Sequence, residues 1–292
     1  MLTSLRRLSS FCIVALTLSA ALGAQALESA SDESAGLTTL AVTAEQCIGE
    51  LRSSRERAYP DTYPLPDELR VMSWNIYKAQ REQLLSDLQA LSEQADILLL
   101  QEAFADERLS ALKPHWRFAP GYRDGDLQTG VLTLSQWPAA VHCHLTHTEP
   151  WLRTPKATNI VEYVLAGDER LLVVNLHAIN FELSTDSYRE QLMAAVGILQ
   201  EHPGPAIFAG DLNSWSDTRR ALLTELLEPL GLQPALFDED NRTRAFGLAL
   251  DHVWTRGVSI SASSVPQYTS SDHNPLLVTL ELEGVNRVAE NR

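Results

Sequence analysis

The chain has 292 residues, 45 % of them hydrophobic, and a formal net charge of -15. Those proportions fit a globular protein with a sizeable core and exclude a disordered or collagen-like chain. The acidic balance, with no basic block, argues against broad charge-driven binding of nucleic acid. It leaves open nuclease chemistry through a metal ion, which reverses the local field.

The N-terminus reads as an export signal. Arg6 and Arg7 precede an apolar stretch from Phe11 to Leu22, and Ala24-Gln25-Ala26 follows. The apolar stretch is short for a membrane span, which needs roughly 20 residues. Cleavage after Ala26 is expected, with the mature protein periplasmic or secreted. Phe11 before Cys12 does not fit a lipid-anchor site. Cys12 leaves with the signal; Cys47 and Cys143 remain, and the sequence leaves open whether they pair or stand as thiols. Residues 27–67, ending in "YPDTYPLPDE", read as a poorly ordered lead-in with a short helix near Glu45–Arg57. The compact domain is expected over residues 68–283, with a tail over 284–292.

Within the domain, apolar runs alternate with amphipathic stretches. "RVMSWNI" predicts a strand. "QREQLLSDLQALSEQ" predicts a helix with Leu84, Leu88 and Leu91 on one face. "DILLLQEA", "GVLTLS", "VHCHLTH", "NIVEYVLAG" and "RLLVVNLHAI" predict strands. "DSYREQLMAAVGILQEH" predicts a helix, "AIFAGDLN" a strand, and "DTRRALLTELLEPLG" a helix stopped by Gly231. "LDHVWT", "VSISASSV" and "PLLVTLEL" complete the strands. The pattern is α/β, with one mixed sheet or two, because the late strands have no helices between them.

Polar residues stand at the ends of these runs. They are Asn75, Glu102, His177, Asn180, Asp211, Asn213, Asp251, Asp272 and His273. That edge is where open α/β sheets bind ligands. The collection offers hard oxygen ligands without a thiolate cluster, which suits Mg²⁺, or Mn²⁺, better than structural zinc. Singly, each residue also fits a turn, a helix cap or a satisfied core position; the signal is the joint pattern.

"SWNI", "LLLQE", "VVNLHAIN", "FAGDLNSW", "LDHVW" and "SDHNPLLV", in that order from Val71 to Leu282, resemble the endonuclease/exonuclease/phosphatase superfamily with its DNase I-like fold. "WNIYK", "HAINF" and "RAFG" resemble the wording of a bacterial branch. The resemblance implies a four-layer sandwich, two packed mixed β-sheets flanked by helices, and a metal-dependent phosphoesterase. It implies Glu102 as principal metal ligand, with Asn75 beside it and Asp272 near the metal. It implies Asp211 as the acid that aligns or deprotonates water, Asn213 and His273 on the phosphate, and Asp251 orienting His273. His177 stands where relatives carry a residue near the phosphate. Asn180, Lys156 and Arg244 are candidate substrate contacts, with Lys78 and Arg153 as further cations.

Departures narrow the expectation. "LDHVWTRG" lacks the wording of the phosphoinositide 5-phosphatases, and His252 replaces the tyrosine of base-excision endonucleases. The expected function is an exported Mg²⁺-dependent phosphodiesterase, first of nuclease type on DNA or RNA. A phospholipid headgroup, as for a sphingomyelinase, is the alternative; no long exposed aromatic hairpin is legible in the sequence, which favours the nuclease. An inactive phosphate-ligand binder on the same fold is the remaining alternative. No obligate protein partner is inferred, and a monomer is expected.

Overall fold

In a computed structural model of the chain, residues 40–57, 65–165 and 169–282 are described. The expected export signal, residues 27–39 of the lead-in and the tail lie outside them.

Strands form where the sequence alternates or runs apolar, and they assemble into two facing sheets. One sheet holds β1 (Leu40–Ala41), β6 (Val141–Thr148), β7 (Pro155–Val164), β8 (Arg170–His177), β9 (Ala206–Asp211), β13 (Asp251–Arg256) and β10 (Gln233–Pro234), in that spatial order. The other runs β14 (Ser259–Ser264), β15 (Leu276–Glu281), β2 (Glu68–Asn75), β3 (Ile97–Phe104), β5 (Leu127–Ser135) and β4 (His115–Asp124). A two-stranded ribbon, β11 (Arg244–Ala245) and β12 (Leu248–Ala249), stands apart. Both sheets are mixed: β2–β3 and β8–β9 are parallel, most other pairs antiparallel.

Three apolar clusters define the layers. Val71, Ile97, Leu99, Val173, Ile207, Val253 and Val278 fill the space between the sheets. Helices α1 (Ala44–Arg55), α4 (Asp186–Glu201) and α5 (Asp217–Leu227) cover the outer face of the larger sheet. Helix α2 (Leu84–Ser92) covers the smaller sheet with Leu84, Leu88 and Leu91, the face the sequence predicts. A one-turn helix, α3 (Glu107–Ser110), follows β3. Central strands are therefore apolar on both faces, and every residue of β8 and β9 is buried. The four-layer expectation is met.

The lead-in carries the expected short helix as α1, but over residues 40–57 it is packed where a loose segment is expected. Thr43 caps α1 by accepting from the Gln46 backbone N–H at 3.2 Å. Cys47 and Leu51 are fully buried, and Cys47 is joined to Cys143 on β6 with Cα atoms 5.6 Å apart. Ser54 donates a hydrogen bond to the buried Glu162 carboxylate. A covalent tie plus an apolar face supplies the packing that the composition of residues 27–67 does not announce.

Candidate active site

The strand registers build one cluster. In β8–β9, His177 lies beside Asp211; in β9–β13, Asp211 lies opposite Asp251. Three neighbouring strands thus present an imidazole and two carboxylates at one level. Gly210 permits this: φ is +141°, and a Cβ there would lie 2.0 Å from the Leu176 carbonyl oxygen. From the facing sheet, Asn75 ends β2, and Glu102 sits where the β3–β5 register shifts between Leu100 and Ala103. That bulge turns Glu102 out of its strand with φ +50°.

Asp211 is the hub. Asn75 Nδ2 donates to its Oδ2 at 2.9 Å, and the Asn213 backbone N–H donates to its Oδ1 at 3.1 Å. The same Oδ2 lies 3.6 Å from His177 Nε2 and 3.9 Å from His273 Nε2. Burial raises the Asp211 carboxyl above the usual range, against the pull of His273. On the far side of His273, Nδ1 meets Asp251 Oδ2 at 2.8 Å. Burial opposes the charged ring, but Asp251 and Asp211 outweigh it, and its pKa is pushed up to about 10. His273 is thus a cation at neutral pH.

His177 is the opposite case. Burial, then the charge of Lys156, hold its pKa well below the ordinary value. Lys156 Nζ lies 2.9 Å from His177 Nε2. An ammonium can only donate, so Nε2 accepts and the ring proton belongs on Nδ1. Glu102 completes the group at 4.0 Å from both His177 Nε2 and Lys78 Nζ. Burial raises the Glu102 carboxyl, and Lys156 and Lys78 act against that shift.

Lys78 reaches the site through an unusual turn. Tyr77, Lys78 and Ala79 all have left-handed φ, at 49°, 53° and 49°. Among the described residues seven non-glycine positions are left-handed: these three, Glu102, Arg153, Asn213 and Phe246. All lie at the site or in loops beside it. Such conformations cost on the order of 1–3 kcal/mol each and persist where surrounding contacts enforce them.

The remaining expected residues fall into two groups. Asn213 is at the cluster, with Nδ2 donating to the Ala178 carbonyl at 3.0 Å. Asn180 is at the rim, its Oδ1 accepting from Trp215 Nε1 at 2.9 Å. Asp272 is exposed and acts at range, its charge raising both Glu102 and His273. Arg244 does not extend to the cluster. It is bound to Asp240 and to the Gly247 carbonyl of its own hairpin. Arg153 is likewise a turn residue, its N–H donating to the Glu149 carbonyl at 2.9 Å.

Several supporting residues escape a sequence reading. Trp74 Nε1 donates to the His273 carbonyl at 2.8 Å, and Ser271 Oγ to the Asn75 carbonyl at 2.7 Å. Gln101 Nε2 bridges the sheets to Asn175 Oδ1 at 2.7 Å. Glu149 Oε1 accepts from the N–H groups of Asn180 and Phe181 at 2.7 and 2.9 Å. Buried Arg219 donates to the carbonyls of Ile179, Asn180 and Asn213, gripping both loops at once. Amides inside apolar strands, Gln101 and Asn175, were the available signal; the others act over long sequence separations.

Two groups here offer ligand atoms to a cation. Asp211, Asp251 and His273 have them within 4.8 Å of one another. Within this group, His273 Nδ1 is already engaged by Asp251 at 2.8 Å, which leaves Nε2 as its free ring nitrogen. Glu102 with Asn75 is the other group. No hydrogen bond reaches the Glu102 carboxylate among the described residues, and burial raises it, so a nearby positive charge would relieve it. One carboxylate and the Asn75 amide oxygen, which also accepts from the Tyr77 N–H at 3.1 Å, are oxygen donors of the kind a hard divalent ion takes.

A sandwich of two mixed sheets flanked by helices, with acids, amides and a histidine gathered at one edge, is a DNase I-like fold. The chain belongs to the Endonuclease/Exonuclease/phosphatase family, whose model matches residues 72–273. Members are typically hydrolases of phosphoester bonds and generally use a divalent metal. The chain is 40 % identical over 228 residues to a UPF0294 protein of Vibrio campbellii, covering 76 % of this chain and 81 % of that one. An endonuclease/exonuclease/phosphatase from Beutenbergia cavernae shares the fold at a TM-score of 0.57 and 17 % identity, over 74 % of this chain and 72 % of that one. ANGEL2, described as a 2′,3′-cyclic phosphatase, shares it at 0.56 and 16 %, over 77 % and 97 %.

Proposed function

We propose that the protein is an exported phosphodiesterase that hydrolyses its substrate with the help of Mg²⁺ or Mn²⁺. One observation carries the reading. Asp211 is buried among Asn75, His177 and the His273–Asp251 pair, and Glu102 faces the same group from the second sheet. Family membership and the phosphoesterase named among the structural neighbours support it.

The residues divide the work. Glu102 and Asn75 would hold the cation, which when bound neutralises charge on the phosphoryl oxygens. Asp211 aligns a water molecule and takes one of its protons as the water oxygen bonds to phosphorus. The ester bond opposite breaks, and the departing oxygen leaves as an alcohol once it gains a proton. Charged His273, fixed by Asp251, and the second N–H of the Asn213 amide stabilise the negative oxygens. On the opposite wall neutral His177 accepts from Lys156 and so positions its ammonium, which adds positive charge.

The Cys47–Cys143 bridge supports the exported location, because disulfides persist in oxidising compartments. A nucleic-acid strand is the first carrier of the scissile bond from the sequence. A phospholipid headgroup is the second, and the apolar loops that border the cleft favour it.

The test is hydrolysis of bis(p-nitrophenyl) phosphate with and without Mg²⁺, alongside Asp211→Ala. Cation-dependent turnover that EDTA removes and Asp211→Ala lacks is expected. Turnover indifferent to both would overturn the mechanism, and tight binding with the diester returned unchanged would leave a binding protein.

A further inference from the structure

Among the described residues ten large apolar side chains are exposed, and five of them gather on three loops at the edge of the sandwich that carries the site. Trp151 and Leu152, at 58 % and 57 % exposure, occupy the turn between β6 and β7. Phe181 and Leu183, at 48 % and 88 %, follow β8. Phe246, at 89 %, is the tip of the β11–β12 ribbon.

The loops are joined to one another and to the site. Glu149, at the base of the first, accepts from the backbone of Asn180 and Phe181 in the second. Trp215 donates to Asn180 and packs edge-on against Phe246, with ring centroids 6.1 Å apart. The three loops are thus tied together at their bases, in the chain segments that adjoin Lys156, His177 and Asn213.

The tip of the third loop is not a by-product of the fold. Phe246 and Gly247 both have positive φ, at 52° and 81°, the geometry of a two-residue hairpin turn that favours Asn-Gly. A bulky aromatic residue in the first position is strained and, here, almost wholly in water. Strain and exposure together mark a side chain kept for a partner.

We propose that these loop tips dock the protein on a lipid surface with zwitterionic headgroups and bring the site level with their phosphodiesters. The inference rests on the phosphodiesterase reading for what happens next, but not for the docking. Charge selects the occupant. A net charge of -15 disfavours an anionic leaflet, while a zwitterionic surface exacts no such cost. Composition sets the tips apart from a base-stacking platform, which is aromatic throughout, since two of these five tips are leucines. Trp, Phe and Leu on projecting loops suit the headgroup–acyl boundary, reaching about 5–10 Å into it. Among the described residues no helix is long and apolar enough to cross a membrane, so contact of this kind is peripheral.

The test compares the full chain with a variant carrying Trp151→Ser, Leu152→Ser, Leu183→Ser and Phe246→Ser. None of these residues belongs to the catalytic group. Wild type is expected to sediment with phosphatidylcholine vesicles and to show a blue shift in tryptophan emission that Trp151→Ser alone lacks. The fourfold variant should partition at least about tenfold more weakly, yet cleave bis(p-nitrophenyl) phosphate at the wild-type rate. Leu183→Ser alone, at a nearly free side chain, checks the direction if the fourfold variant folds poorly. The proposal is overturned if wild type stays in the supernatant, or if the variants partition as well as wild type. It is overturned equally if the fourfold variant keeps its vesicle binding and loses cleavage of a single-stranded oligonucleotide. Vesicle binding without diester cleavage would sink the enzymatic reading alone.

Discussion

Asp211 and Asp251 face each other across the β9–β13 ladder, yet their carboxylates have different company. Asp211 is met by an amide and a backbone N–H, while Asp251 is paired with His273. One register therefore separates a carboxylate that can take a proton from one that keeps a neighbour charged. Replacing Asp211 by Asn keeps the shape and removes the base. Turnover should fall by roughly 10²–10⁴-fold, with KM and the thermal midpoint little changed. Steady-state kinetics and a melting curve check it.

Asp251→Asn should act through pH. With its partner, His273 carries a pKa of about 10, so it stays charged across the neutral range. Without Asp251 that pKa falls towards the ordinary imidazole value of roughly 6.5. The alkaline limb of the pH–rate profile should move to lower pH in the variant, and activity below that limb should be partly restored. A profile that only scales down would disprove the assignment.

Three histidines make acid a threat to the fold. Burial holds His142, His202 and His252 neutral, with pKa values lowered to about 3. The unfolded chain binds protons at these sites near pH 6.5, and the folded chain does not until far lower. Stability from this source is complete above about pH 6.5 and is lost as pH falls towards 3. His273 has the reverse sign: its contribution is complete below the unfolded value and is lost as pH rises through about 10. Urea midpoints should be highest between these limits and drop clearly between pH 7.5 and 5.

Glu102→Gln tests the cation. The wild-type thermal midpoint should rise with added Mg²⁺ as a bound ligand stabilises the fold, and the variant should lose most of that rise. A full response in the variant would move the cation elsewhere, with the Asp211–Asp251–His273 group as the next place to look.

The Cys47–Cys143 bridge spans a sequence separation of 96 residues. Cys47→Ser with Cys143→Ser should cost about 2–5 kcal/mol, seen as a lower denaturation midpoint. Activity at low temperature should survive, because neither residue is among the catalytic group.

The legible parts of this protein are those in which chemistry repeats along the chain. "LLLQE" and "RLLVVNLH" announce buried strands because both faces are apolar, and the acid or imidazole at each end stands out against them. The order of these endings carried the resemblance and placed Glu102, His177, Asp211, Asp251 and His273 in one cleft. Strand β4 is hidden in the sequence because "HWRFAPGYRD" mixes charges with Pro120 and Gly121 and bulges between Pro120 and Arg123. Strands β10, β11 and β12, of two residues each, are too short to show a period. The apolar rim is invisible for another reason. Trp151, Leu183 and Phe246 are scattered in sequence, and Glu149, Trp215 and Arg219 tie their loops together over long separations.

Strand β1 pairs with the outer side of β6, and α1 is welded to that same strand through Cys47. A sheet margin with free amides invites another chain to add itself. Here β1 occupies that margin at His142 and Cys143, and the disulfide holds the segment that carries it in place. In a reducing environment a newly made molecule lacks that covalent hold, and this end of the margin is guarded by packing alone.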